Sequence, residues 1–313
     1  MQVILGSNGT IGHELSKALN VLKLQVRLVS RNPHRYKDSD ELFSADLLHF
    51  DQTFKALKNA EVAYLTAGLR YSHATWKEQW PRIMQNVIES CKRQGVKLVF
   101  FDNVYAYGPV NGWMSEESPL QPSSQKGAIR ATIAGMLMDE VRKGNLKALI
   151  ARSADFYGPD CPNSLPNILV FEPFRKGKKA QCLISDQVRH SFTYTPDAGK
   201  ATALLGNTDS AYGQVWHLPT DKQALTAKQF ILLAAQSMNT SPRYRILSKG
   251  ILGFMGLFNG NIREIGEMLY QNNSDYLFDS SKFDRAFVFD KTLYADGITE
   301  TAKAIKKSIS LPD

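Results

Sequence analysis

The apolar residues of this chain change their period again and again. Val3-Ile4-Leu5 is a short continuous run, and after Gly6 to Gly12 the apolar positions Ile11, Leu15, Ala18, Leu19 and Leu22 fall on one face of a helix. Strand-like runs recur at Gln25–Val29, Leu42–Leu47, Glu61–Thr66, Val96–Phe101, Lys147–Arg152, Ala180–Ile184, Ser191–Tyr194 and Val215–Pro219. Helical spacing occupies Asp51–Leu57, His73–Gly95, Ala128–Gly144, Ile168–Lys176, Pro196–Leu205 and Thr226–Gln236. In the longest of these, Trp76, Trp80, Ile83, Met84, Val87 and Ile88 form the stripe; Pro81 starts or kinks the helix and Gly95 stops it. Strand–helix alternation predicts a parallel sheet covered on both faces, a doubly wound α/β fold. The expected division is residues 1–160, with returning segments near 188–220, against a lobe of 161–187 and 221–313. Leu252, Phe254, Met255, Leu257 and Phe258 are expected mainly as lobe core, with pocket lining as the other use. The chain reads as continuous, without linkers, to about Ser310.

The first dozen residues carry the strongest chemical signal. Strand, glycine-rich turn, helix is the context in which Gly6-Ser7-Asn8-Gly9-Thr10-Ile11-Gly12 binds phosphate. Gly6 permits the tight turn, Gly9 allows close approach of a pyrophosphate, and Gly12 lets the helix lie near the sheet. The free N–H groups at the helix start, with its partial positive charge, favour an anion there. The second strand ends at Ser30-Arg31-Asn32-Pro33. An acid at this point would bind a free ribose 2′-hydroxyl, whereas Arg31 suits a 2′-phosphate, so NADP is expected over NAD. A solvated turn arginine is the alternative. Asp46, beside Leu47, is a candidate for the adenine amino group, and either Asp46 or Asp51 could instead be a turn or capping aspartate. Thr66-Ala67-Gly68 ends the fourth strand with small residues that let a cofactor pass close to backbone.

Composition narrows this picture without redirecting it. The chain has 313 residues, 43% hydrophobic and 22% charged, within the range of soluble globular proteins. No run is long enough to span a membrane, and the first strand begins too early for a signal peptide. Cys91, Cys161 and Cys182 are an odd set at unrelated spacings, read as free thiols in a reducing, cytoplasmic setting. The net charge is +8, but the basic residues are dispersed and the densest cluster, Arg175 to Lys179, is short, so no nucleic-acid partner is expected. The histidines form no metal-ligating pattern and no Gly-x-Ser-x-Gly elbow occurs, which sets aside metal sites and serine hydrolases.

At Asp102-Asn103-Val104-Tyr105-Ala106-Tyr107-Gly108-Pro109 the chain resembles the extended short-chain dehydrogenase/reductases, in the NAD-dependent epimerase/dehydratase branch. The resemblance also rests on the glycine turn, Asp46-Leu47, Ala151 to Pro159 and Arg189 to Lys200. It implies a Rossmann-type fold with a smaller C-terminal substrate-binding lobe, and hydride transfer with a nicotinamide cofactor on a small carbonyl or nucleotide-sugar substrate. A homodimer is a further expectation. It places Asp155 and Phe156 at the nicotinamide, with packing as the alternative for Phe156. It places Tyr105 and Arg189 near the substrate. Two departures are marked. Asn103 stands where the family has Ser or Thr. No tyrosine occurs between Tyr107 and Tyr157, so the catalytic Tyr-x-x-x-Lys is replaced by Lys126-Gly127-Ala128-Ile129-Arg130.

Lys126 and Arg130 lie one turn apart on a helix. Lys126 is a candidate general acid for a carbonyl oxygen, with Asn103 orienting that oxygen. The other reading has Lys126 and Arg130 only binding cofactor ribose or phosphate. A rival function follows from the same departures: a non-catalytic NADP(H)-binding redox sensor.

Overall fold

The structure, a computed structural model, describes residues 1–307; the expected continuation to Ser310 lies outside them. The chain divides into two compact units. The first comprises Met1–Gly108, Pro119–Ser153 and Ala198–Leu218; the second comprises Pro109–Ser118, Ala154–Asp197 and the residues from Pro219 onward.

The first unit is built on β1 (Gln2–Leu5), α1 (Thr10–Val21), β2 (Val26–Ser30), β3 (Glu41–Ser44), α2 (Phe50–Ala56), β4 (Val62–Leu65), α3 (His73–Gln94), β5 (Lys97–Asn103), α4 (Gln125–Arg142), β6 (Ala148–Ser153), α5 (Thr195–Gly206) and β7 (Val215–His217). The seven strands form one sheet in the order β7-β6-β5-β4-β1-β2-β3, and every pairing is parallel. Strand order reverses between β1 and β4, the point where open parallel sheets bind ligands. The strands are apolar on both faces because both are covered. Val3, Leu5, Ala63, Leu65, Leu98 and Phe100 pack with Trp80, Met84 and Val87 of α3 and Ile133 and Leu137 of α4. On the other face, a Cβ on Gly206 of α5 would lie 2.3 Å from the Tyr64 hydroxyl, so this helix end meets the sheet without room for a side chain.

Several boundaries moved for local reasons. The third strand ends at Ser44, not Leu47, because the Asp46 carboxylate accepts the Leu48 N–H (3.0 Å) and Gln52 accepts the Asp46 N–H (2.7 Å), turning the chain. The helix expected at Ala128 begins at Gln125, because Ser124 Oγ caps it by accepting the Gly127 N–H at 3.0 Å. Lys126 therefore lies in its first turn. α3 runs through Pro81 and stops at Gly95, which takes a left-handed φ of 68°.

The second unit holds four short strand pairs: Asp155–Tyr157 with Phe192–Tyr194, Arg189–His190 with Leu225–Thr226, Ala180–Leu183 with Tyr244–Leu247, and Trp113–Met114 with Leu277–Phe278. Residues 154–160 and 188–197, expected with the first domain, group here because their strands pair with each other and not with the large sheet. The core gathers Tyr157, Phe171, Phe174, Phe230, Tyr294 and Ile298. The helix expected over Ile168–Lys176 is a π-helical turn, Asn167–Phe171, running into Glu172–Arg175. The helix Lys249–Phe258 overturns another expectation. Leu252 is buried, but Phe254, Leu257 and Phe258 are 66–80% exposed. Its glycines leave only a narrow apolar seam, Leu252 and Gly256, to pack inward.

The glycine turn makes the fold testable. Gly6 has φ +96°, and a Cβ there would lie 2.3 Å from the Ala67 Cα. Gly6→Ala is expected to cost about 2–3 kcal/mol in urea unfolding. Gly9→Ala, whose Cβ would come no nearer than 3.5 Å to protein, is expected to stay within about 0.5 kcal/mol.

Candidate active site

The glycine turn is pinned before any ligand is considered. Gly6 and Ser7 donate N–H bonds to the Val29 carbonyl (2.8 and 3.1 Å), closing the turn on β2. Asn8 donates to the Asn32 carbonyl (2.7 Å) and accepts from the His34 N–H (3.2 Å). Tyr36 donates its hydroxyl to the Ser7 carbonyl at 3.0 Å and stacks on His13. The loop after β2 is thus tied to the turn, with Asn8 and Ser7 as the ties. Gly12 is needed for packing, since a Cβ there would meet the Gly6 and Ser7 carbonyls at 2.7 Å. A Cβ on Gly9 would make only ordinary contacts, with the Gly6 and Thr66 carbonyls at 3.5 and 3.9 Å, and α1 begins there with no side-chain cap. Ile11 is buried core at the head of the same helix, beside Thr10.

The other expected cofactor residues sit at neighbouring strand ends. Arg31 is exposed directly after β2, with its carbonyl held by Ser44 Oγ at 2.7 Å. Asp46 closes its own turn, and Leu47 is buried. Thr66 donates its hydroxyl to the Leu5 carbonyl (3.3 Å), joining the ends of β4 and β1. Ala67 lies against Gly6, and Gly68 is exposed with nothing near its Cβ position.

The altered catalytic segment is buried. Lys126, Gly127 and Arg130 form the inward face of α4 with Ile133, Ala134 and Leu137. A Cβ on Gly127 would meet the Tyr105 carbonyl at 2.4 Å, so the helix start presses onto the 3₁₀ turn Val104–Tyr107. Asn103 Oδ1 caps that turn by accepting the Tyr105 N–H at 3.1 Å. Lys126 is fully buried, with its ammonium 4.5 Å from the centre of the Tyr71 ring. Tyr105 is half-buried and stacks on Trp76.

Arg130 has a different occupation. Its Nε donates to Asp102 Oδ1 (2.7 Å) and its Nη2 to the Phe101 carbonyl (3.3 Å). The guanidinium packs on Trp80 and Phe100, with ring centres 4.6 and 4.9 Å away. Arg152 takes the other oxygen, donating Nε and Nη2 to Asp102 Oδ2 at 3.1 and 2.9 Å. Arg152 also lies over the Tyr107 ring, whose hydroxyl bonds His217 Nε2 at 2.7 Å. All five side chains are buried. Asp102, Arg152 and His217 escaped sequence reasoning, although a charged residue within an apolar strand run was the available signal.

In the second unit, Asp155 and His190 come together. His190 Nε2 lies 3.0 Å from Asp155 Oδ2, and the imidazole stacks on Phe192 with centroids 4.5 Å apart. Phe156, in the same strand as Asp155, is half-buried. Arg189 faces elsewhere: its backbone N–H and its guanidinium both bond Asp275, the side-chain contacts being 2.9 and 2.5 Å. A cavity open to solvent is lined by Asp155, His190, Leu169, Phe230 and Gln271 among others. Cys182 also lines it; burial, and then the nearby Asp186, push its thiol up to about 12, so it stays protonated. All three cysteines are buried free thiols. Among the described residues no group of three or more metal-ligating side chains occurs, and no described helix is long and apolar enough to cross a membrane.

A doubly wound parallel sheet with a glycine turn after its first strand defines the Rossmann class of NAD-binding folds. Within it, the chain belongs to the NAD-dependent epimerase/dehydratase family, whose profile matches residues 2–218, and is an enzyme of that type. No curated protein matches its sequence. Solved structures do match in fold. UDP-glucose 4-epimerase from Thermus thermophilus, complexed with NAD, is 16% identical with a TM-score of 0.79, covering 98% of this chain and 99% of that one. UDP-glucuronic acid 4-epimerase from Bacillus cereus, also with NAD, is 17% identical with a TM-score of 0.79 and the same coverage. A double mutant of DesIV, a dTDP-glucose 4,6-dehydratase from Streptomyces venezuelae, is 16% identical with a TM-score of 0.82, covering 99% and 98%.

The shared carboxylate sets the prediction for this site. Asp102→Asn leaves two buried guanidiniums without a counter-charge and is expected to lower unfolding free energy by about 3–5 kcal/mol. Urea denaturation measures it; a loss below about 1 kcal/mol would mean that the network carries little.

Proposed function

We propose that the protein is an NADP-dependent oxidoreductase of the epimerase/dehydratase type, acting on a small carbonyl or sugar-like substrate, with Lys126 in the role of the missing tyrosine. The observation that carries this reading is the burial of Lys126 in the first turn of α4. A lysine there faces both desolvation and the positive end of the helix dipole, so the position is a poor choice for stability alone.

The first unit's residues fit a dinucleotide. Gly6 and Gly12 are required by the protein's own backbone, but Gly9, whose Cβ would meet nothing nearer than 3.5 Å, is not, and a glycine beside an uncapped helix start suits a pyrophosphate. Arg31, exposed at the end of β2, suits a 2′-phosphate. Thr66, Ala67 and Gly68 would flank the ribose side. The relatives described above were solved with NAD, which supports a nicotinamide dinucleotide at this crevice and leaves the phosphate preference to Arg31. When bound, the nicotinamide supplies or withdraws a hydride at the substrate carbon.

The remaining steps fall to this chain's residues. Lys126 Nζ gives a proton to the carbonyl oxygen as it becomes a hydroxyl, and takes it back in the reverse direction. Asn103, with Oδ1 engaged by the Tyr105 N–H, keeps its amide N–H groups to orient that oxygen. Arg130, bound to Asp102, acts as a positioning residue that fixes the roll of α4 and hence where Lys126 points. Tyr105 is the aromatic wall beside this point.

Two measurements test the reading. Deuterium carried on C4 of NADPH is expected to appear on the product carbon by mass spectrometry across a panel of small ketones; its absence from every product would overturn hydride transfer. In calorimetric titrations Arg31→Asp is expected to weaken NADPH binding at least tenfold while sparing NADH, as loss of a charge-assisted contact requires. Unchanged discrimination would remove the 2′-phosphate argument.

A further inference from the structure

The cavity of the second unit has a composition that selects among ligands. Leu165, Leu169, Val188, Phe192, Phe230 and Ile231 provide apolar wall, and neither lysine nor arginine lines it. The one charged group in the wall is the Asp155 carboxylate, paired with His190. Arg189 follows the lining residue Val188 in the chain, but Asp275 already holds its guanidinium. A diphosphate would therefore enter against a carboxylate with no cation to meet it.

Two polar atoms in the same wall await partners. His190 is 6% exposed and Gln271 is 3% exposed, and both line the cavity. His190 Nδ1 has no hydrogen-bond partner, and Gln271 Nε2 makes none of good geometry, its amide lying beside the Tyr276 hydroxyl. Because the His190 imidazole stacks on Phe192 and is tied to Asp155, its ring cannot turn to find one. With Nε2–H donated to the carboxylate, Nδ1 is left as an acceptor, while the Gln271 amide is a donor. Buried polar atoms left unpaired are costly and rare, and two in one cavity wall mark a polar anchor.

We infer that this cavity binds a compact, uncharged, phosphate-free ligand: an apolar body bearing a hydroxyl group that donates to His190 Nδ1 and accepts from Gln271 Nε2. The body lies against Leu169, Val188 and Phe230. A nucleoside diphosphate sugar, of the kind named for the epimerases of like fold, is not accepted by this wall. The inference rests on the second unit alone and does not depend on the cofactor reading, so binding and not turnover reads it out.

The test is calorimetric titration of the whole protein with 4-phenyl-2-butanol, cyclohexanol, UDP and UDP-glucose. Saturable binding is expected for 4-phenyl-2-butanol or cyclohexanol. Two variants should each weaken it about tenfold, the loss of one good hydrogen bond or of the apolar seat. They are Gln271→Leu, and the cavity-filling Val188→Trp, which leaves the polar pair intact should the first variant fold poorly. Thermal melting of each variant confirms that it is folded. No heat from either phosphate-free probe would overturn the inference, as would saturable UDP-glucose binding that Val188→Trp abolishes.

Discussion

One carboxylate holds the functional half of the first unit in place. Asp102, at the end of β5, receives Arg130 from α4 on one oxygen and Arg152 from β6 on the other. Arg152 covers Tyr107, and Tyr107 reaches His217 in β7. A single buried anion thus registers a helix, three adjacent strands and the 3₁₀ turn between them. Burying ion pairs carries a desolvation penalty, and an apolar replacement of the whole set would often be as stable. Their value is geometric: each guanidinium fork accepts few orientations, so α4 can adopt only one roll about its axis.

That roll decides where the chemistry can be. Arg130 and Lys126 are one turn apart, so fixing the arginine aims the lysine. Gly127 lets the same turn press onto the Tyr105 carbonyl, and Ser124 caps it from below. The result is a lysine held without exposure over the Tyr71 ring. In the proposed reading the motif that replaces Tyr-x-x-x-Lys divides its labour: the arginine organises and the lysine transfers the proton. The glycine-rich turn shows the same division, with Gly6 and Gly12 serving the backbone and Gly9 leaving room.

Much of the first unit could be read from the chain because its signals are local. Glycine placement, strand–helix alternation and the stop at Gly95 depend on neighbours a few residues away. What escaped depends on distant pairings. The sequence shows Arg130 one turn beyond the candidate acid Lys126 but cannot show that Asp102 has claimed it, so a cofactor-binding role for the arginine stayed open. Arg189 read as an anion-binding arm until Asp275, far along the chain, neutralised it. Asp155 read as a nicotinamide contact, and its pairing with His190 arises only because short strands distant in the chain come together. The helix Lys249–Phe258 looked like core on hydrophobicity, yet exposure depends on what packs against it, which no local pattern encodes.

The central claim is that the buried lysine is kept for chemistry and not for stability, and Lys126→Met separates the two directly. A methionine fills the same space without a charge at the helix start. Deuteride transfer from labelled NADPH should fall at least a hundredfold in single-turnover measurements, the scale of a lost general acid. The melting temperature should stay level or rise, and NADPH affinity should change less than about threefold. Transfer at the wild-type rate, or a loss explained wholly by unfolding or weaker cofactor binding, would contradict the account.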